Sequence, residues 1–284
     1  MTISNQAPTF VGGVTLTVKD LPTVADYYRT LLNLETHSSD GAEVVLGADT
    51  PFLTLRGDKS AQNAGPRQSG LFHTAFLLPQ RADLGRWVMH AIDKRIAVGG
   101  ASDHGVSEAI YLTDPEGNGI EIYTDRAHAD WPSQSDGSLD MYTEALNVQD
   151  LVQSAGNSRW AGIPQGSYIG HVHLQTAILS AAENFYAKAL GFEVTTRYPG
   201  AIFYGSGGYH HHLASNIWNS RNSAPRTAHM TGLSEVRLLN QTPAVQAQMV
   251  AGLQAAGAEF AETDGAIRIS DPSNTLFDIR VKEA

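Results

Sequence analysis

The chain has 284 residues, with 19 Lys and Arg against 29 Asp and Glu, so its formal charge is −10. A net acidic chain lacks the basic face that nucleic acid requires. The absence of cysteine excludes disulfides, thiolate zinc sites, iron–sulfur clusters and thiol nucleophiles. Hydrophobic residues make up 42% and charged residues 17%, a composition that folds, and the length suits roughly two domains. The opening MTISNQAPTF carries no basic or apolar signal region, and no apolar run approaches the roughly 18 residues of a membrane span. The expectation is a cytoplasmic protein that contacts neither membrane nor nucleic acid. With 11 histidines and no cysteine, a bound metal would take nitrogen and oxygen ligands.

Taken in chain order, the pattern starts with a strand at 11–18. A helix follows over 21–33, where Leu21, Val24, Tyr27, Tyr28, Leu31 and Leu32 fall at spacings of three and four. A second strand spans 70–78, a helix 81–95, and short strands 109–113 and 118–124, the last two joined by the Asp114–Asn118 turn. Some 40 residues, 126–166, come next, with Trp131-Pro132 and SQSDGS at 133–138. They form either a linker or a wrapping segment with a short helix near 147–155, since a structureless loop this long is unusual in a compact fold. Then come a strand at 168–176, a helix at 180–190 capped by Gly191, a strand at 231–239 and a helix at 243–256.

These elements repeat. DYYRTLLNLE at 26–35 matches NFYAKALGFE at 184–193, and at the same offset Gly12–Leu16 matches Gly170–Leu174. Gly70–His73 matches Gly232–Glu235, and Asp114-Pro115 matches Asp271-Pro272. The chain therefore reads as four βαβββ units near 10–57, 70–125, 168–219 and 231–282, an α+β fold.

The strings GLFHTAFLLP (70–79), ASDHGVSEAIYLTDPEGNGIEIYTDR (101–126), IGHVHLQ (169–175) and GGYHHHLASNIW (207–218) complete the pattern. Together with the repeat, they make the chain resemble the vicinal oxygen chelate superfamily. That superfamily holds glyoxalase I, fosfomycin- and bleomycin-resistance proteins and extradiol dioxygenases; the likeness is to the catechol-2,3-dioxygenase-like branch. The resemblance implies four modules pairing into two cupped mixed sheets. It divides the chain into a first domain at 1–126, a linking or wrapping segment at 127–166 and a second domain at 167–284.

The resemblance also implies where ligands sit. The first-strand places are Gly13, His73, His171 and Glu235; the last-strand places include Glu121 and Asp278. Two histidines and a carboxylate make the facial triad of non-haem iron(II) oxygenases, which leaves open positions for a chelating catecholate and dioxygen. His73, Glu121 and His171 are the expected metal ligands. Tyr111, ten residues before Glu121, is expected to hold substrate. His104 and His212 are the expected acid–base residues, His212 facing the cup if strand alternation runs through 210–218. That set needs module two to pair with module three. The competing set lies within 168–284: His171, His210 or His212, Glu235 and Asp278.

Each residue also has a plainer reading. A lone strand histidine is more often structural than a ligand, and His173 shares the face of His171 as bystander or true ligand. Glu121, between Ile120 and Ile122, would be costly if buried without a cation. Tyr111 reads equally as core, His104 as part of a turn, and the 210–212 run as surface.

The expected activity is extradiol ring cleavage of a catechol-like aromatic by dioxygen, with iron(II) or manganese(II). Zinc(II) or nickel(II) would go with the alternative, a glyoxalase-like lyase or isomerase. A non-catalytic small-molecule binding protein is the third reading. Trp218 and Trp131 are candidates to wall an aromatic ring, and self-association is left open.

Overall fold

The computed structural model describes residues 3–283. Each unit opens on a strand with one apolar face and lays a helix across it. In the first, strand Thr9–Val18 buries Val14, Leu16 and Val18 in the same cluster as Val24, Tyr28 and Leu31 of helix Leu21–Leu32. The helix starts where the Asp20 carboxylate accepts the Thr23 N–H at 3.2 Å. It stops at Asn33, which takes the left-handed conformation at φ 59°. Further helices include Arg81–Lys94, Val148–Ser154 and Pro243–Ala255, with Leu179–Glu183 in the third unit. That last helix is not the continuous one expected over 180–190: it widens into π-type turns over Asn184–Ala189. The change is one extra residue per hydrogen-bonded ring, seen where the Leu190 N–H donates to Phe185 O at 2.9 Å. So short an apolar pattern does not register it.

The strands form two mixed sheets. One runs Ala261–Thr263, Ala266–Ser270, Leu276–Val281, Gly232–Asn240, Thr9–Val18, Pro51–Gly57, Glu43–Gly47, Glu35–Ser39. It joins modules one and four and is called the outer sheet here. The inner sheet joins modules two and three in the order Glu193–Tyr198, Ala201–Gly205, Leu213–Asn216, Tyr168–Gln175, Gly70–Leu77, Gly119–Asp125, Ser107–Thr113, Gly100–Asp103, Glu144–Ala145. Each sheet thus takes one module from each half of the chain. The first strands of paired modules meet antiparallel at the centre, His73 opposite His173 in the inner sheet and Gly13 opposite Arg237 in the outer.

The repeat is visible in the polar joints. Asp114 accepts the N–H groups of Glu116 and Asn118 at 2.9 Å, and Asp271 those of Ser273 and Thr275 at 2.8 Å. The Tyr186 hydroxyl donates to Asp271 at 2.5 Å, while Tyr28, its counterpart, lies 3.5 Å from Asp114. Each turn is thereby tied to the helix of the preceding module.

Segment 127–166 wraps the inner sheet. Its helix Val148–Ser154 sits so close on helix Arg81–Lys94 that a Cβ at Gly85 would lie 2.4 Å from Leu151 O. Arg81 bridges the two helices' surroundings, bonding Glu108 at 2.5 and 3.0 Å and Asp150 at 2.7 Å. Further back, Leu139 exchanges backbone and side-chain bonds with Thr195 and Thr196 at 3.1 and 2.9 Å. Residues 139–144 are so held across the open end of the inner sheet.

Trp87 couples the sheets through their helices. It is fully buried, and its Nε1–H donates to Leu31 O, across from module two to module one, at 2.9 Å. Trp87→Ala should cost about 3–5 kcal/mol, read as a lower urea midpoint by circular dichroism, with one transition that both halves share.

Candidate metal centre

Pairing of the strands builds the site row by row. His171 stands opposite Ala75 and Ala75 opposite Glu121, so one row crosses three strands with a methyl group at its centre. Because Ala75 is small, the longer side chains on either side lean over it toward each other. His73, two residues before Ala75, joins them from the same face. The donor atoms of His73, Glu121 and His171 all lie within 4.8 Å of one another, and all three side chains are buried. Glu121 Oε2 is 3.0 Å from His73 Nε2 and 3.4 Å from His171 Nε2.

These three residues fit a metal ion. His73 Nε2 is buried and makes no hydrogen bond despite its nearness to the carboxylate, an arrangement that costs free energy unless a cation takes the lone pairs. Burial drives the Glu121 carboxyl up, but His171 and His73 outweigh it and hold the group well below its ordinary range. Burial brings His171 down to about 4 in spite of Glu121. A carboxylate and neutral imidazoles are the protonation states that ligate.

Around this group lies a cavity of about 270 Å³. Phe72, Phe203 and Trp218 wall one side; His104, Tyr111 and the wrapping residues Met141–Thr143 wall the other. His104 Nδ1 meets the Tyr142 carbonyl at 2.8 Å, so Nδ1 carries the proton and Nε2 accepts the Tyr111 O–H at 2.6 Å. Burial, and then the Glu121 charge, push the Tyr111 phenol well above its ordinary value. It stays an O–H.

The 210–212 run departs from expectation. His212 does not face the cavity: it is fully buried on the far side, its Nε2 3.1 Å from Ser4 O. His211 lines the cavity instead, its ring centroid 4.0 Å from that of His171. The regular strand begins only at Leu213, and Gly207 and Gly208 ahead of it take left-handed φ values of 60° and 78°. Two-residue alternation therefore fails where the expectation needed it. His210 points to Asp125, at 2.9 Å. His173 lines the cavity with its Nε2 3.0 Å from Asn216 Nδ2. Trp131 is not a wall of the cavity; it packs on His210, centroids 5.1 Å apart.

The competing set is split between the sheets: His171 lies on the inner one, with His210 and His212 just ahead of its strand Leu213–Asn216, and Glu235 and Asp278 lie on the outer. There the equivalent row reads Gly13, Arg237, Asp278. Arg237 occupies the place of Ala75, and Asp278 lies 2.9 Å from Arg280, 3.9 Å from Arg237 and 4.0 Å from Arg268. Guanidinium groups supply the positive charge in this sheet.

Two measurements follow from this geometry. His73→Ala and Glu121→Gln should each weaken metal binding at least about tenfold, seen as loss of stoichiometric metal by elemental analysis, while Asp278→Asn leaves it unchanged. His212 is held down at about 3, chiefly by burial, against an ordinary value near 6.5. Between those values the unfolded chain takes up a proton that the folded chain refuses, so stability falls as pH drops from 6.5 toward 3. His212→Asn should flatten that slope in urea melts across this range.

A family model for the Glyoxalase/Bleomycin resistance protein/Dioxygenase superfamily matches residues 11–122 and 168–278. The catechol-2,3-dioxygenase of Bacillus subtilis (strain 168) is 35% identical, over 95% of this chain and 96% of its own. The biphenyl-2,3-diol 1,2-dioxygenase 3 of Rhodococcus globerulus is 29% identical over 44% of this chain and 66% of its own. Among solved structures, glyoxalase I from Zea mays shares the fold, with a TM-score of 0.56 at 14% identity, covering 97% of this chain and 93% of its own. A model match spanning both halves, together with a full-length relative, shows that this chain belongs to the Glyoxalase/Bleomycin resistance protein/Dioxygenase superfamily.

Proposed function

We propose that the protein is an extradiol ring-cleaving dioxygenase acting on a catechol-like substrate, with His73, His171 and Glu121 holding iron(II) or manganese(II). The observation that carries this reading is the composition of the cavity. Glu121 is the one carboxylate among the described residues that line it, beside the two histidines that share its donor cluster. A lyase or isomerase of the same fold would call for a second carboxylate there. The full-length likeness to a catechol-2,3-dioxygenase supports the same choice.

When bound, the metal would lower the pKa of a substrate hydroxyl and bring substrate and dioxygen together. The chain's own residues do the rest. Phe72, Phe203 and Trp218 present aromatic faces to a planar ring and exclude water from it. Tyr111, its proton committed to His104 Nε2, offers its oxygen as acceptor to a substrate hydroxyl. His211 takes the acid–base role expected of His212. Burial, then neighbouring His171 and His210, keep its pKa well below the ordinary value, so it rests as a neutral imidazole that can accept a proton and return it. Ring opening of catechol itself gives a muconic semialdehyde.

Oxygen uptake should follow addition of catechol to iron-loaded protein, with one dioxygen consumed per semialdehyde formed. His211→Ala should lower kcat by about 10²–10⁴-fold, the usual worth of a general acid–base group, and Tyr111→Phe should raise KM more than it lowers kcat. Turnover of a hemithioacetal by nickel- or zinc-loaded protein, with no oxygen uptake on any catechol, would instead establish the isomerase reading.

A further inference from the structure

We infer that Asp125 and His210 are positioning residues that hold His211 as the tautomer with Nδ1 protonated and Nε2 bare. Neither lines the cavity, so both act through His211.

The hydrogen-bond chain fixes the direction from its far end. Asp125 Oδ1 lies 2.9 Å from His210 Nε2, and the Tyr209 hydroxyl donates to the same oxygen at 3.1 Å. A carboxylate only accepts, so the proton of a neutral His210 is on Nε2 and its Nδ1 carries a lone pair. That Nδ1 faces His211 Nδ1 at 2.8 Å. Two ring nitrogens at this distance share one proton; with His210 neutral and its own proton on Nε2, the shared proton comes from His211. Having spent its single proton on Nδ1, neutral His211 keeps Nε2 as an acceptor, on a ring that lines the cavity beside His171.

Packing keeps the chain from rearranging. The His210 ring is fully buried, with Tyr209 at 4.0 Å and Trp131 at 5.1 Å between centroids. Trp131 is itself fastened by its Nε1–H to Arg126 O at 3.0 Å. Asp125 lies four residues beyond Glu121 on strand Gly119–Asp125, so strand alternation puts both carboxylates on one face. The same strand presents one to the donor cluster and the other to the residue that orients the base. In the opposite tautomer His211 would offer an N–H to the cavity and could take no proton from a substrate hydroxyl without a ring flip.

The purpose of the device rests on the dioxygenase reading, but the tautomer is observable without turnover. The test is long-range proton–nitrogen NMR on full-length protein labelled with ¹⁵N-histidine, with zinc(II) added as a diamagnetic metal. The wild type should show His211 protonated at Nδ1 and bare at Nε2. Asp125→Asn, whose amide can donate to His210 Nε2, should move His211 toward the Nε2-protonated form; His210→Leu should leave mixed tautomers. Both variants should lower kcat on catechol at least about tenfold, with KM changed far less. Tyr209→Phe, which removes the other bond to Asp125, should leave the tautomer in place. A wild-type His211 protonated at Nε2 would overturn the inference, as would a tautomer that both Asp125→Asn and His210→Leu leave untouched. The predicted tautomers without oxygen uptake on catechols would sink the dioxygenase reading alone.

Discussion

The antiparallel pairing of strands Tyr168–Gln175 and Gly70–Leu77 is the constraint on which the rest depends. It sets His171 over Ala75, and the parallel pairing beyond it sets Ala75 beside Glu121. A slip of one residue would turn every one of these side chains to the helix face. The register is held by the apolar residues in between, since Phe76, Val172 and Ile122 on the other face are fully buried. The core thus specifies the site: hydrophobic burial chooses the register, and the register gathers two imidazoles and a carboxylate that would otherwise repay none of their desolvation.

The outer sheet shows the same frame carrying different chemistry. Its equivalent row replaces His171 by Gly13, Ala75 by Arg237 and Glu121 by Asp278. A long cationic side chain at the central position fills the space that a methyl group leaves open. Arg280 donates to one Asp278 oxygen at 2.9 Å, and nearby Glu235 is pushed up by burial and by Asp278. One backbone frame therefore carries two histidines and a carboxylate in one cup and, with Gly13, Arg237 and Asp278 at the corresponding places, a guanidinium–carboxylate group in the other.

Much of this was legible in the sequence, for physical reasons. Repeated segments and apolar strands with covering helices located the four units. The expectation that modules two and three share a sheet came from where His73, Glu121 and His171 fall, and the sheets are built that way. The family likeness linked Tyr111 to Glu121, and the two pair across adjacent strands of the inner sheet; strand alternation was the ground for His212 alone. It failed at His212 because the left-handed glycines at 207 and 208 bend the chain before the strand begins, so His211 takes the place in the cavity. Nothing local pointed to Asp125 or to the role of residues 141–143, since their partners lie far away in sequence. A tryptophan beside a proline, at 131–132, reads as a wall or as packing with equal ease, and only the fold shows it against His210.

The most direct measurement is anomalous diffraction at the iron edge from crystals of the anaerobically iron-loaded protein. One strong peak per chain is expected at bonding distance from His73 Nε2, His171 Nε2 and a Glu121 oxygen, with His211 beside it and no peak in the outer cup. A peak at Glu235 and Asp278, or an inner cavity without metal in iron-loaded crystals, would contradict it.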